Sequence, residues 1–178
     1  CSNGTTCLTC NSLNNRVLNS ATLLCDCISG YYEDTTTKTC IQCAYSCVTC
    51  TNGSACTSCN SNFYRTLNST TKQCDCLSTG YFDTFISAVC SACDYTCSSC
   101  ATTSTYCTSC LSSANRALSA SSCICANGYY DVTNLVTCLS CSYRCVTCSV
   151  DSTNCTQCSA SNYRNTTPAC SCFPGYYD

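Results

Sequence analysis

The chain has 178 residues and a net charge of −2 at pH 7; charged residues make up only 9% of it, and it contains no histidine. A chain of this charge lacks the basic surface that nucleic-acid binding requires, and without histidine it lacks the commonest general acid–base side chain. Its 29 cysteines are typical of a disulfide scaffold in an oxidising compartment, so we expect an extracellular or cell-surface protein that is not an enzyme and needs no cofactor.

The cysteines follow a repeated order. From Cys40 to Cys76 the spacing is C-x2-C-x3-C-x2-C-x5-C-x2-C-x14-C-x-C, and the same order returns from Cys90 to Cys125 and from Cys138 to Cys172 with small changes in loop length. The five cysteines from Cys1 to Cys27 match the last five positions of the same order. A fixed order at a fixed period predicts a tandem array, and we expect the chain to be a window of a longer one.

Four units are predicted in chain order. Residues 1–39 are the C-terminal part of a repeat, residues 40–89 and 90–137 are full repeats, and residues 138–178 are a repeat cut at its C-terminal end. A unit of about 50 residues cannot bury enough apolar surface to fold without additional links. Four disulfides of about 2–4 kcal/mol each would supply the missing stability.

Two signatures accompany the cysteines. A glycine, two aromatic residues and an acid follow each C-x-C, which predicts a turn with positive φ and then a short strand; the copies are Gly30–Glu33, Gly80–Asp83, Gly128–Asp131 and Gly175–Asp178. An arginine recurs in the loop before each C-x-C, at Arg16, Arg65, Arg116 and Arg164. We expect it to stack on a repeat tyrosine. A third mark is a tyrosine two residues before each third cysteine, interpreted as an aromatic cap on a disulfide; the copies are Tyr45, Tyr95 and Tyr143.

The fold class predicted from these patterns is a set of small disulfide-rich tandem repeats. We expect an extended rod of short β-hairpins and loops with almost no helix. The longest apolar clusters, such as residues 21–24, are too short to cross a membrane, so no direct membrane insertion is expected in this segment.

Other interpretations of the cysteines remain. Cys40 and Cys43 with Cys56 and Cys59 have the spacing of a four-thiolate zinc site, and C-x2-C pairs also occur in thiol–disulfide exchange enzymes. The secreted composition, and more cysteines than zinc would need, favour disulfides instead. The acids of the aromatic turns offer too few oxygens for calcium.

Five N-glycosylation sequons are present. They begin at Asn3, Asn52, Asn68, Asn154 and Asn165. The middle residue of the fourth is Cys155, a predicted half-cystine, which makes that sequon the weakest. Covalent glycans would supply the solvation that a chain with so few charges lacks.

The cysteine order followed by a glycine–aromatic pair resembles the furin-like cysteine-rich repeats of growth-factor receptors, and the low charge and tight C-x-C are similar to the long cysteine-rich surface proteins of ciliates and other protists. The resemblance covers essentially the whole chain, but furin-like repeats usually have a wider C-x3-C. It implies second-to-fourth and third-to-fifth bonds within each repeat: Cys43–Cys50, Cys47–Cys56, Cys93–Cys100, Cys97–Cys107, Cys141–Cys148 and Cys145–Cys155. It implies sixth-to-seventh bonds (Cys10–Cys25, Cys59–Cys74, Cys110–Cys123, Cys158–Cys170) and eighth-to-first bonds (Cys27–Cys40, Cys76–Cys90, Cys125–Cys138). Cys172 is left without a partner, and so are Cys1 and Cys7 unless they pair with each other.

Two functions fit this sequence. The first is an extracellular structural glycoprotein, a disulfide-stapled rod, stalk or fibre component whose partners are copies of itself or neighbouring repeats. The alternative is a receptor-like ectodomain spacer or ligand-binding module, for which Phe85–Ile86 and Arg144 are the candidate contacts because they depart from the other repeats.

Overall fold

The structure, a computed structural model, describes residues 6–159 and 162–178. The chain divides into two compact units, Cys1–Leu77 with Asp83–Ser91 and Ser78–Phe82 with Ala92–Asp178. Within each unit the chain forms short two-stranded antiparallel hairpins, and the described ranges contain no α-helix. The predicted class of disulfide-rich tandem hairpins with almost no helix is therefore confirmed. No helix in this part of the chain is long and apolar enough to span a membrane.

Three kinds of hairpin recur. Central hairpins join the third and fourth cysteines to the fifth and sixth: β5 (Cys47–Cys50) with β6 (Cys56–Cys59), β11 (Cys97–Cys100) with β12 (Cys107–Cys110), and β17 (Cys145–Cys148) with β18 (Cys155–Cys158). Long-loop hairpins carry the repeat arginine: β1 (Arg16–Asn19) with β2 (Leu24–Cys27), β7 (Arg65–Leu67) with β8 (Cys74–Cys76), and β13 (Arg116–Ser119) with β14 (Ser122–Cys125).

Aromatic hairpins begin with the glycine signature. They pair β3 (Tyr31–Glu33) with β4 (Cys40–Gln42) and β15 (Tyr129–Tyr130) with β16 (Leu139–Ser140); the corresponding strands of the second copy are β9 (Tyr81–Phe82) and β10 (Ser91–Ala92). The predicted boundaries at 39/40 and 137/138 thus fall between the two strands of an aromatic hairpin. In the last repeat the position of the long-loop hairpin holds an isolated bridge, which joins Arg164 to Cys172.

A short 3-10 helix precedes each long-loop hairpin: Ser12–Asn14, Ser61–Phe63 and Ser112–Ala114. Each ends at a residue with left-handed backbone, Asn15 (φ 54°), Tyr64 (φ 60°) or Asn115 (φ 55°). The left-handed residue turns the chain sharply, so the next residue, the repeat arginine, starts the strand. Sequence alone predicted the strand but not the turn that precedes it.

Glycine is required where the aromatic hairpin meets the central hairpin. Gly30 has φ +86°, its N–H donates to the Val48 carbonyl at 2.8 Å, and its carbonyl accepts from Cys43 N–H at 2.8 Å. In the second unit Gly80, with φ +79°, makes the same two contacts with Ser98 and Cys93. A side chain would meet no atom at either glycine, so the backbone conformation, not lack of space, selects the residue.

Half-cystines make up most of the buried core. The buried apolar residues among those described are cysteines apart from Phe82 and Ala114. In the second unit Phe82 packs against Cys97, Cys100, Cys107 and Cys123, so one ring of the aromatic pair covers disulfides. Since so little other apolar surface is buried, stability depends on covalent bonds and on the polar contacts described next.

Candidate functional site

Disulfides take up nearly all the described cysteines. Each of the thirteen pairs implied by the furin-like resemblance is joined in the structure. Their Cα–Cα separations run from 5.1 to 5.8 Å, the range that a disulfide needs. Cys7 is also disulfide-bonded, Cys172 is free, and Cys1 lies outside the described residues.

Two clusters have the ligand spacing of a metal site. One brings together Cys47, Cys56 and Cys74, and the other Cys125, Asp131 and Cys138. The sulfurs in both clusters belong to disulfides, and a cysteine binds a metal as its thiolate. The four cysteines of the zinc interpretation, Cys40, Cys43, Cys56 and Cys59, go to four different disulfides.

The repeat arginines form the most elaborate polar site, which we call the arginine clamp: one arginine, the acid of the following aromatic signature and nearby backbone carbonyls. In the first unit the Arg65 side chain is 0% exposed and pairs with Asp83 at 2.7 Å. Arg65 Nη1 also donates to the Cys74 carbonyl at 2.8 Å. Its Nε and Nη2 donate to the carbonyls of Ala88 at 2.6 Å and Ser87 at 3.1 Å. The guanidinium thus links the long-loop hairpin to Asp83 and to the loop that follows Asp83 in the chain.

The second unit repeats this arrangement at Arg116. Its side chain is 0% exposed and pairs with Asp131 at 2.6 Å. Nη1 donates to the Cys123 carbonyl at 3.1 Å. Nε donates to the Val136 carbonyl at 2.7 Å, and Nη2 donates to the Leu135 carbonyl at 3.0 Å. A buried cation needs a counter-charge and partners for its remaining donors, and both clamps provide them.

The first clamp of the chain is more open. Arg16 pairs with Glu33 at 3.2 Å, and the two side chains are 16% and 44% exposed. Arg16 Nη1 donates to the Cys25 carbonyl at 2.6 Å, and Nη2 donates to the Lys38 backbone carbonyl at 2.8 Å. Its carbonyl contacts are like those of the buried clamps but fewer.

The last clamp lies beside a second arginine. Arg164 donates to the Cys170 carbonyl at 3.0 Å and pairs with Asp178, which also pairs with Arg144 at 2.6 Å. The hydrogen bond from Arg164 lowers the pKa of Asp178, and the charge of Arg144 acts in the same direction. Arg144, a candidate binding residue, therefore already has a partner within the chain.

The repeat tyrosines lie over the arginines. The distance from the guanidinium carbon to the ring centroid is 5.3 Å for Arg65 over Tyr45 and 5.8 Å for Arg116 over Tyr95. For Arg164 over Tyr143 it is 5.2 Å. The sequence predicted a cation–π contact with a repeat tyrosine, and the structure identifies that tyrosine as the one two residues before the third cysteine. Two further groups hold Asp83, because it also accepts from the Tyr45 hydroxyl at 3.0 Å and from Phe85 N–H at 2.8 Å.

The charges of this clamp shift each other's ionisation. Burial by itself would raise the pKa of Asp83, but hydrogen bonds from Arg65, Phe85 N–H and Tyr45 outweigh it and the pKa falls below its usual value. Burial and the neighbouring carboxylate raise the pKa of the Tyr45 hydroxyl. The ionised carboxylate is therefore the form that the folded clamp favours.

The sequence showed the arginine and the acid as separate signatures but did not show that they pair. A usable signal was present. The chain has only seven basic residues, four of them at the same repeat position, and each aromatic signature contains an acid. A cation and an anion that recur once per repeat in a chain otherwise poor in charge indicate a structural ion pair.

The sequons lie in different surroundings. Asn52 and Asn165 are exposed, whereas Asn68 and Asn154 are partly buried. Asn3 lies outside the described residues. Of the other candidate contacts, the side chains at Phe85–Ile86 are 77% and 90% exposed at a turn where Phe85 has φ 61°.

No protein-family model matches the chain, and no curated protein or solved structure matches it either. In the described part of the chain, thirteen disulfides and four arginine clamps hold the repeats.

Proposed function

We propose that this chain is a segment of an extracellular structural glycoprotein, a disulfide-stapled stalk, rod or fibre component of a cell surface or extracellular filament. The observation that carries the proposal is the recurrence of the arginine clamp. Arg16, Arg65, Arg116 and Arg164 occupy equivalent positions and make equivalent ion pairs. The cysteines and nearly all the arginines make contacts that stabilise the individual repeats, which favours a protein whose role depends on keeping its shape.

Two further features support a structural role. Disulfides of this density persist outside the reducing cytosol, which favours an extracellular or cell-surface location. A repeated unit whose parts contact mainly their sequence neighbours is also the usual way to make a spacer of arbitrary length. The cysteine order and its pairing support membership of the furin-like group, in the style of the protist surface proteins.

Electron microscopy of the native, unreduced protein tests the proposal. We expect long, uniform filaments with a regular axial repeat, and we expect them to persist in a metal chelator but to collapse on reduction by thiols. Compact globular particles, or loss of structure on chelation alone, would contradict it. Because the chelator removes a metal without touching disulfides, it separates the two possible uses of the cysteines.

A receptor-like spacer or ligand-binding module is the second candidate, and exposed apolar residues favour it. The side chains at Phe85–Ile86, 77% and 90% exposed, lie where the other repeats have smaller or more polar residues. Dispersed short rods in the same images would support this candidate, and a Phe85→Ser/Ile86→Ser variant would then lose partner binding. Long filaments that the double variant still forms would exclude these residues from assembly.

A further inference from the structure

We propose that Asn52 carries an N-linked oligosaccharide, and that Asn68, although it begins a sequon, stays unmodified and acts as a turn clamp. The proposal rests on the extracellular location in the proposed function. The donor is a lipid-diphosphate-linked oligosaccharide. A bond forms between Asn52 Nδ2 and the sugar C1, the bond from C1 to the diphosphate oxygen breaks, the lipid diphosphate leaves, and Nδ2 loses one proton.

The turn at Asn52 presents its amide nitrogen. The residue is exposed, and its Oδ1 accepts from Ser54 N–H at 3.0 Å, Ser54 Oγ at 3.2 Å and Ala55 N–H at 2.9 Å. These bonds hold the amide by its oxygen, and in the described structure Nδ2 donates to no protein group. The hydroxyl of Ser54, the third residue of the sequon, thus contacts the side-chain oxygen of Asn52, and the side-chain nitrogen Nδ2 remains available for modification.

The turn at Asn68 uses the whole amide. Its Oδ1 accepts from Thr70 N–H at 3.0 Å and Thr71 N–H at 3.2 Å, and its Nδ2 donates to Asp75 at 2.9 Å. The donation to Asp75 ties the turn to the opposite strand of its hairpin. A bulky sugar on Nδ2 would have to be accommodated beside that contact.

Asn19 shows that this turn needs asparagine for structural reasons. It occupies the same position in the first long-loop hairpin: Nδ2 donates to Asp26 at 2.7 Å, and Oδ1 accepts from Ala21 N–H at 3.0 Å and Thr22 N–H at 3.3 Å. With alanine at its third position, the segment from Asn19 is not a sequon. The turn therefore explains asparagine at both positions without any glycan.

Asp151 supplies a matched turn for Asn52. Its Oδ1 accepts from Thr153 N–H at 2.8 Å, Thr153 Oγ1 at 2.8 Å and Asn154 N–H at 2.9 Å, the same three kinds of bond that Asn52 receives. Only the amide nitrogen is missing. Asn154 itself comes at the end of this turn, next to the buried disulfide cysteine Cys155, so it is not the structural counterpart of Asn52.

The test is secretion of the 178-residue chain from eukaryotic cells behind a signal peptide, followed by glycopeptide mass spectrometry with and without enzymatic glycan removal. We expect modified Asn52 and unmodified Asn68. On gels, Asn52→Gln should lose one glycan and Asp151→Asn should gain one. Asn68→Gln should leave the mobility unchanged while amide exchange in its turn speeds up.

An unmodified Asn52 peptide, or a glycan removed by Asn68→Gln, would overturn the inference. Failure of Asp151→Asn to gain a glycan would overturn the claim that the turn geometry presents the amide. Because the signal peptide supplies the compartment, these outcomes leave the structural role untouched. That role fails separately, if the microscopy of the native protein shows globular particles.

Discussion

The arginine clamps at Arg65 and Arg16 both belong to the first unit, and they solve the same problem at different depths. The Arg65 side chain is 0% exposed and donates to three carbonyls besides Asp83. Arg16 is 16% exposed and donates to two carbonyls besides Glu33. Between these two clamps the deeper guanidinium has the larger number of protein acceptors, as expected when burial removes access to solvent, whereas the more exposed Arg16 can be solvated where it lacks a protein partner.

Removing the arginine should give the largest contrast between the clamps. Arg65→Met leaves Asp83 and three carbonyls without their partner, and we expect the local free energy of opening to fall by about 3 kcal/mol. Arg16→Met should cost about 1 kcal/mol, since water replaces the lost contacts. Amide hydrogen exchange in β7–β8 and in β1–β2 of the oxidised protein measures the two values. Equal losses at both sites would break the comparison.

Neutralising the acid should have a smaller effect than removing the arginine, and the effect should again be larger at the Arg65 clamp than at the Arg16 clamp. Asp83→Asn keeps the shape of the side chain but weakens its bonds to Arg65 and Tyr45, with an expected cost of about 1–2 kcal/mol in the same exchange measurement. Glu33→Gln should cost no more than about 0.5 kcal/mol because the pair is exposed. A larger loss for Glu33→Gln would show that exposure does not set the strength of a clamp.

Acid should open the clamp at Asp83. Because the folded pKa of Asp83 is depressed, its contribution to stability is fully present above the unfolded value of about 4. It is lost as the pH falls through the lower folded pKa. The free energy of opening in β7–β8, obtained from exchange rates divided by the intrinsic rates at each pH, should therefore fall below about pH 4 in the parent chain. The Asp83→Asn variant should lack this component, and an unchanged pH dependence in that variant would remove Asp83 as its source.

Within the Arg65 clamp, removing the ring should have a smaller effect than removing the arginine or the acid. Tyr45→Leu deletes the cation–π contact with Arg65 and the hydroxyl bond to Asp83, with an expected cost of about 0.5–1 kcal/mol. Tyr45→Phe deletes only the hydroxyl, so it should cost less and should bring the pKa of Asp83 closer to its usual value. Proton NMR titration of the carboxyl follows that change, and an unshifted titration would rule out the hydroxyl bond.

Sequence predicted the parts governed by local pattern. The recurring cysteines, the positive φ of Gly30 and Gly80 and the stacking of arginine on tyrosine follow from spacing and residue type. The Arg65–Asp83 pair did not, because it joins residues of two different hairpins whose approach depends on the fold. The left-handed backbone at Tyr64 was also missed; asparagine, as at Asn15, favours that conformation, but tyrosine gives no such signal.

Mapping the disulfides of the native, non-reduced protein by mass spectrometry tests the central claim most directly, namely that covalent loops and the clamps between them hold each repeat. We expect the thirteen pairs of the structure, including Cys59–Cys74 and Cys76–Cys90, whose half-cystines Cys74 and Cys76 flank Asp75. Free thiols at these positions, or bonds in another order, would contradict it, because the carbonyls of Cys74 and Ala88 could then no longer meet Arg65.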